Sequence, residues 1–370
     1  MTNLNVNSPD VADVPVPRDR RRLFVAVGIA VLALVAATIG TVLYVQRPIP
    51  SSFEATIKTS TVTLGQSVVV EGILRPAAPL RTVTLQVQRQ NGAWTDAGVT
   101  ARPDAAGRFT LTTSPTAAGS LTYRLSTGKV ERVKAGTSAR LKVAVLTPST
   151  IGAQTAESVK LGATVKINGV VTPAASDRTV IMESSTNGST WVPAGAQTTT
   201  AEGGTYVLEL PATVAGSMKY RSHVQADATH AEAASPAVTV TVEDYAAAGQ
   251  HYLAAVEPAN EVGHKYNQVL QKPNATLAEL TASAREYAAA ERTMTDSLAA
   301  YLAWPKDVKP LIDELVAGAT TEYGLDNQLA ASGSLAEFSD KMNGVPNLSY
   351  SGDVAEQIRQ KLGLPARSGD

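Results

Sequence analysis

Residues 68–85, VVVEGILRPAAPLRTVTL, return 97 positions later as residues 165–182, VKINGVVTPAASDRTVIM. Extended in both directions, the match runs without a gap from 62–124 onto 159–221, and 22 of those 63 pairs are identical. Leu64-Gly65 reappears as Leu161-Gly162, Gly72 as Gly169, Pro76-Ala77-Ala78 as Pro173-Ala174-Ala175, and Arg81-Thr82-Val83 as Arg178-Thr179-Val180. Trp94 reappears as Trp191, Gly107 as Gly204 and Tyr123-Arg124 as Tyr220-Arg221. Such a period is too long for a solenoid unit and about the size of one β-sandwich. The chain therefore contains a duplicated domain.

Within each copy apolar residues recur at every second position, the mark of strands with one buried face. Val68 and Val70 match Val165 and Ile167 and are predicted to face inward, while Val69 and Glu71 between them are free to become Lys166 and Asn168. Val83 and Leu85 pair in the same way with Val180 and Met182, Phe109 and Leu111 with Tyr206 and Leu208, and Leu121 and Tyr123 with Met218 and Tyr220. Leu141, Val143 and Val145 match Val238, Val240 and Val242 on a closing strand. Asn91-Gly92 and Asn187-Gly188 are expected to supply the positive φ of tight hairpins, with Gly107 and Gly204 in the next turns. Six or seven short strands per copy predict an immunoglobulin-like sandwich.

The pattern G-x-x-x-P-A-A, R-T-V, W, G-x-F/Y and G-S-x-x-Y-R, spread over residues 52–147 and 148–243, resembles the Ig-like modules of bacterial, especially actinobacterial, surface proteins. The resemblance implies a fold and says almost nothing of a ligand. The cysteine pair of antibody domains is missing, since the chain has no cysteine at all. Trp94 and Trp191 are expected to fill part of that space, or to lie on the sheet face of a hairpin; packing is the favoured role because they recur with the other core markers.

Upstream lies an uncharged run of 23 residues, Leu23–Val45, LFVAVGIAVLALVAATIGTVLYV. As a helix it spans about 35 Å, enough for a hydrocarbon core of about 30 Å. Arg18, Arg20, Arg21 and Arg22 precede it and Arg47 alone follows closely, so the positive-inside bias places the N-terminus in the cytoplasm and the rest outside. The run exceeds an ordinary signal-peptide core and lacks a clean small-x-small site after it, so an uncleaved anchor is expected. Tyr44 suits the outer interface. Residues 1–22 read as a disordered cytoplasmic tail, with prolines and no apolar periodicity over the first 17. Ala36 and Gly40 have the spacing of a helix-dimer contact, a pattern that an alanine-rich span also shows by chance.

From Asp244 the period changes to 3.6. One stripe runs through Tyr252, Val256, Ala259, Gly263, Tyr266 and Leu270, with Pro258 expected to kink or break it. A second passes through Leu277, Leu280, Ala284, Tyr287, Glu291, Met294, Leu298 and Tyr301. Val308, Leu311, Leu315, Ala319 and Leu329 mark a third helix with Pro310 in its first turn. Leu335, Phe338 and Met342, then Val354, Ile358 and Leu362, make a broken fourth. Residues 244–370 are thus predicted to form an all-α bundle. YLAAVEPANEV at 252–262 and VAEQIRQKLGLP at 354–365 resemble helical domains of small actinobacterial envelope proteins, which implies an extracytoplasmic location and no established activity. The expected fold class is multidomain: a transmembrane helix (23–45), two all-β sandwiches and a C-terminal helical bundle.

Candidate chemistry is sparse. Glu261 and His264 form a Glu-x-x-His, the unit that carboxylate-bridged di-metal bundles use twice, with Glu286 or Glu291 and Glu314 or Glu322 as possible further ligands. The second Glu-x-x-His is absent, so no metal or other cofactor is expected. Glu291 at a seam position could point into the bundle with a raised pKa, but a partly exposed seam, or pairing with Arg285 or Arg292, is the favoured reading. His223 and His230 could bind metal or sense pH but read as loop residues, and His251 as a rim residue. Trp304, before Pro305 at a helix end, is the best exposed candidate for stacking on a glycan. No nucleophile elbow, phosphate-binding loop or dinucleotide fingerprint occurs, and the chain is not expected to be an enzyme. A formal net charge of −1 offers nothing to nucleic acid. The expected function is envelope binding or scaffolding, with cell-wall polymer, another envelope protein or a soluble ligand as partner. A sensor acting through the tail and a metal enzyme in the bundle are the alternatives.

Overall fold

The computed structural model of the chain describes residues 18–45, 47–77, 81–344 and 350–366. The expectations for residues 1–17 and for the side chain of Tyr44 lie outside the described residues. Helix α1 spans Arg18–Val45, so it begins ahead of the apolar run. The arginines at 18 and 20–22 are therefore its first turns, a correction to the tail expected to reach residue 22. Arginine is a good helix former, and no breaker separates Pro17 from Leu23. The segment Phe24–Thr41 is long and apolar enough to cross a membrane, and its described side chains are exposed throughout.

The first copy comprises β1 (Ser52–Ile57), β2 (Thr61–Thr63), β3 (Val68–Arg75), β4 (Val83–Arg89), β5 (Thr95–Ala101), β6 (Arg108–Thr113), β7 (Gly119–Thr127), β8 (Gly136–Thr137) and β9 (Leu141–Leu146). One sheet has the order β1-β3-β6; the facing sheet runs β2-β9-β7-β4-β5, with β8 beside β7. The second copy comprises β10 (Thr150–Ile151), β11 (Ser158–Lys160), β12 (Thr164–Thr172), β13 (Thr179–Ser185), β14 (Val192–Thr199), β15 (Thr205–Pro211), β16 (Gly216–Val224), β17 (Ala233–Ala234) and β18 (Val238–Glu243). It repeats the topology element for element, as β10-β12-β15 against β11-β18-β16-β13-β14. The short second strand of each copy pairs parallel with the last strand, β2 with β9 and β11 with β18. This is the Ig-like arrangement. Arg75-Pro76 and Thr172-Pro173, at equivalent positions, are both cis.

The inward residues read from the alternation are the core. Val68, Val70, Leu74, Val83, Leu85, Leu111, Leu125 and Val143 are nearly inaccessible in copy one, as are Val165, Ile167, Val171, Val180, Met182, Leu208 and Val240 in copy two. Each such aliphatic contributes roughly 1.5–3 kcal/mol on burial. Gly107 and Gly204 take φ of +82° and +76°, and a Cβ at either would run into the carbonyl oxygen of Leu74 or Val171. Only glycine satisfies both demands. The first hairpin differs by one residue from expectation. Gln90 and Asn91 carry the positive φ, and the Gly92 N–H closes the turn onto Arg89 O at 2.8 Å.

The tryptophans are the larger correction to the favoured packing role. Trp94 and Trp191 are half-exposed on the outer sheet face rather than in the sandwich core. Arg124 lies 4.2 Å from the Trp94 ring centroid and Arg221 lies 4.5 Å from that of Trp191. Each arginine is steered by the residue opposite on the neighbouring strand, Arg124 Nε donating to Gln86 Oε1 at 2.8 Å and Arg221 Nε to Glu183 Oε2 at 2.5 Å. The duplication preserved a cation–π pair with its support.

The chain divides into two compact units, Met1–Thr147 and Pro148–Asp370. In the second unit β18 ends at Glu243, and Asp244 caps the first helix of the bundle by accepting from Ala247 N at 2.9 Å. The bundle comprises α2 (Tyr245–Leu270), α3 (Leu277–Ala300), α4 (Lys309–Ala330), α5 (Leu335–Asn343) and α6 (Tyr350–Leu362). Pro258 does not break α2, whose helix continues through it. Lys306 joins bundle to sandwich, its N–H donating to Glu243 Oε1 at 2.8 Å and its Nζ meeting Glu157 Oε2 at 2.5 Å. Lys160 Nζ lies 4.3 Å over the Tyr245 ring. Replacing the cap, Asp244→Ala, is expected to cost about 1 kcal/mol. The loss should appear as faster hydrogen exchange in the first turn of α2.

Candidate functional site

Two apolar clusters hold the helices of the bundle together. One gathers Tyr252, Val256, Leu298, Trp304, Ile312, Leu315 and Ile358; the other gathers Tyr266, Leu280, Ala284, Leu329 and Phe338. Between them along the helices lies a polar layer. On α3 the buried sequence Ala284, Ala288, Glu291, Met294, Leu298 passes through Glu291. On α4 the steps from Leu315 and Ala319 pass through Glu322 and Asp326 before reaching Leu329. On α2 the seam position is Gly263, and a Cβ there would sit 3.0 Å from the Tyr287 ring. Its absence lets Tyr287 lie close to α2 and stack on Tyr266, with ring centroids 5.3 Å apart.

Glu291 is 2 % exposed, and its Oε2 has no hydrogen-bond partner among the described residues. Burial pushes its carboxyl up to about 8; the Tyr287 hydroxyl beside it works the other way, and the charges of Asp326 and Glu322 raise it further. Burial likewise raises Glu322, which Glu291 partly counters. Asp326 rises to about 6, again chiefly through burial, with Tyr266 opposing. The phenols of Tyr266 and Tyr287 are held well above their ordinary range by burial and the neighbouring carboxylates. Burial thus favours a retained proton in the layer, shared by the neighbouring carboxyls of Glu291 and Glu322.

Glu291 and Glu322 line a cavity of about 120 Å³, walled by Val256, Met294, Leu315 and Ala319, with the Tyr252 and Tyr287 rings beside them. Asn260, Glu322 and Arg359, all half-exposed, mark its mouth. Arg359 is tied down, its Nε donating to Pro365 O at 2.6 Å.

The candidates read from sequence fare unevenly. Glu291 does not pair with either arginine suggested for it: Arg285 donates to Ala330 O at 3.3 Å, and Arg292 lies 3.8 Å from Asp296. The inward reading is the correct one. Glu322 joins it, whereas Glu261, His264, Glu286 and Glu314 are exposed and take no part in the cavity. Among the described residues no cluster of three or more histidines, aspartates or glutamates has the geometry to hold a metal ion. Trp304 corrects the expectation of an exposed platform. It is 7 % exposed, its Nε1 donates to Leu298 O at 3.0 Å, and Tyr301 and His251 pack against its ring. His251 stacks on Tyr301 with centroids 4.3 Å apart. His223 lies between Glu183 and Glu232, while His230 engages Asp227, so the two histidines serve different carboxylates. Asp326 was missed in the sequence, although the alternating steps of four and three from Leu315 to Leu329 run through it.

No protein-family model matches the chain, and no curated protein matches it. Solved structures that align with part of the chain include the D0-D1 domain of intimin, at 15 % identity and TM-score 0.21, covering 52 % of this chain and 100 % of its own length. A tetra-tandem repeat from the extending region of a large adhesion protein matches at 18 % identity and TM-score 0.27, over 52 % of this chain and 50 % of that one. The Yersinia pseudotuberculosis adhesin InvE matches at 12 % identity and TM-score 0.22, over 52 % and 59 %.

Proposed function

We propose that the chain is a single-pass, membrane-anchored binding protein of the bacterial cell envelope, whose two Ig-like sandwiches carry a ligand-holding helical domain outside the membrane. The observation that supports the binding role is the cavity with Glu291 inside it. Burying an ionisable group among apolar side chains costs stability unless it is paired, and a domain that only has to fold gains nothing from keeping one. Pockets of this kind, with a few convergent polar groups and displaced pKa values, are where ligands bind. Among the described residues the cavity wall offers tyrosine, glutamate, asparagine and arginine but no serine, threonine, cysteine, lysine or histidine, which favours binding over nucleophilic catalysis. Location and orientation rest on the apolar helix and the arginines ahead of it. The sandwiches would meet wall polymer or another envelope protein, and the motif resemblances favour an actinobacterial setting.

The absence of native cysteine makes the topology directly testable. In intact cells, Thr112→Cys and Ala303→Cys, both at exposed positions, should react with a membrane-impermeant maleimide. Ser8→Cys should react only after lysis. Labelling of position 8 from outside, or protection of position 303, would reverse the proposed orientation.

A further inference from the structure

The acidic layer is more than a cost of folding, because it faces a space. Glu291 is almost fully buried, one of its oxygens is unpartnered among the described residues, and it lines the cavity together with Glu322. Unmet hydrogen-bond capacity beside a cavity calls for a partner, and once Glu291 ionises that partner is a donor. The groups facing it are two carboxyls, Glu291 on α3 and Glu322 on α4, and two phenols, Tyr252 on α2 and Tyr287 on α3. Asp326 and Tyr266 lie behind them, and Arg359 on α6 supplies the one cationic group of the lining among the described residues. A donor that carries positive charge gains twice here, from the carboxylates and from the faces of the tyrosine rings. A divalent metal is a poor fit, since no described cluster offers three suitable ligands. The remaining wall is aliphatic and suits a short hydrocarbon chain. In size the space of about 120 Å³ approaches the roughly 150 Å³ cavities that admit a benzene-sized guest.

Building on the binding role above, we propose that the ligand is a small primary amine, its ammonium docked between Glu291 and Glu322 and its alkyl chain lying against Val256, Met294, Leu315 and Ala319. Binding then requires the carboxyls to give up the proton they hold at neutral pH, so a bound amine replaces a bound proton. Affinity rises with pH as Glu291 ionises, up to the pH at which the amine loses its own charge. Arg359 at the mouth opposes a cation and would favour an anion, so its removal distinguishes the two classes of ligand.

Isothermal titration calorimetry of the full chain in detergent micelles, with titrations into empty micelles subtracted, can test this with n-butylamine and its neutral analogue n-butanol. At pH 8.5 the amine is expected to bind at least tenfold more tightly than the alcohol. That preference should shrink about tenfold at pH 6.5 and vanish in Glu291→Gln, a variant whose fold is checked by circular dichroism. Arg359→Gln should tighten amine binding. Equal affinity for amine and alcohol, an unchanged Glu291→Gln, or weaker amine binding in Arg359→Gln would overturn the amine while leaving a ligand-holding cavity in place. If neither compound binds, the binding role itself falls.

Discussion

Glu291→Gln is expected to flatten the pH dependence of the helical domain and to make it more stable than the natural chain above pH 8. The carboxyl of Glu291 titrates near 4.5 when unfolded and at about 8 in the folded bundle, where burial is the main cause. Below 4.5 both states hold the proton and the folded state keeps its full stability. Between 4.5 and about 8 the unfolded chain releases the proton while the folded chain retains it, so stability falls as pH rises. Above 8 the loss is complete, on the order of a few kcal/mol. Asp326, raised to about 6, contributes in the same direction. Glutamine resembles the protonated acid at every pH and escapes the penalty. Hydrogen exchange in α3 and α4, corrected for intrinsic rates, should show protection falling by roughly two orders of magnitude between pH 5 and 9. In Glu291→Gln the fall should be clearly smaller, with Asp326 still supplying the remainder. A natural chain with flat protection would mean that Glu291 ionises without cost and is not buried as described.

Trp304→Ala is expected to be among the most damaging single substitutions in the bundle, costing about 3–5 kcal/mol. The indole sits in the same apolar cluster as Tyr252, Leu298 and Ile312, and its N–H is the donor for Leu298 O. Alanine leaves both a void and a buried carbonyl without that donor. Trp304→Phe keeps most of the volume and should cost about 1–3 kcal/mol through the unmade hydrogen bond. Thermal unfolding of the full chain, followed by the helical circular dichroism signal, separates the two variants. A glycan-stacking tryptophan on the surface would instead change stability by less than about 0.5 kcal/mol.

How far the sequence could be read depended on whether a rule tracks burial or only recurrence. Alternation placed Val68, Val70, Val165 and Ile167 in the cores because strand geometry alone decides which side a residue faces. Recurrence of Trp94 as Trp191 carried no such information. It was the partner that recurred, since Arg124 returns as Arg221 in the same Tyr-Arg pair, and the stack lies on the outer face. At the end of α3, Leu302 is 92 % exposed and Trp304 is buried, an inversion that no apolar stripe predicts once the helix has ended. The acidic layer was half legible. Glu291 stood out at a seam position, but on α4 the stripe was read as skipping from Ala319 to Leu329, because a pattern of apolar residues treats carboxylates as solvent-facing. Gly263 is the counterpart on α2, where the small residue makes room for the Tyr287 ring. That accommodation needs two helices at once and is invisible in either alone.

The central claim is that the helical domain holds a protonated carboxyl in its interior at neutral pH, poised to take a cation. Infrared difference spectroscopy of the full chain across a pH titration observes that carboxyl directly. A carboxylic-acid C=O band is predicted to persist at pH 7, to fade with a midpoint near pH 8 and to be missing in Glu291→Gln. A band already lost by pH 5, or one retained unchanged in Glu291→Gln, would contradict it.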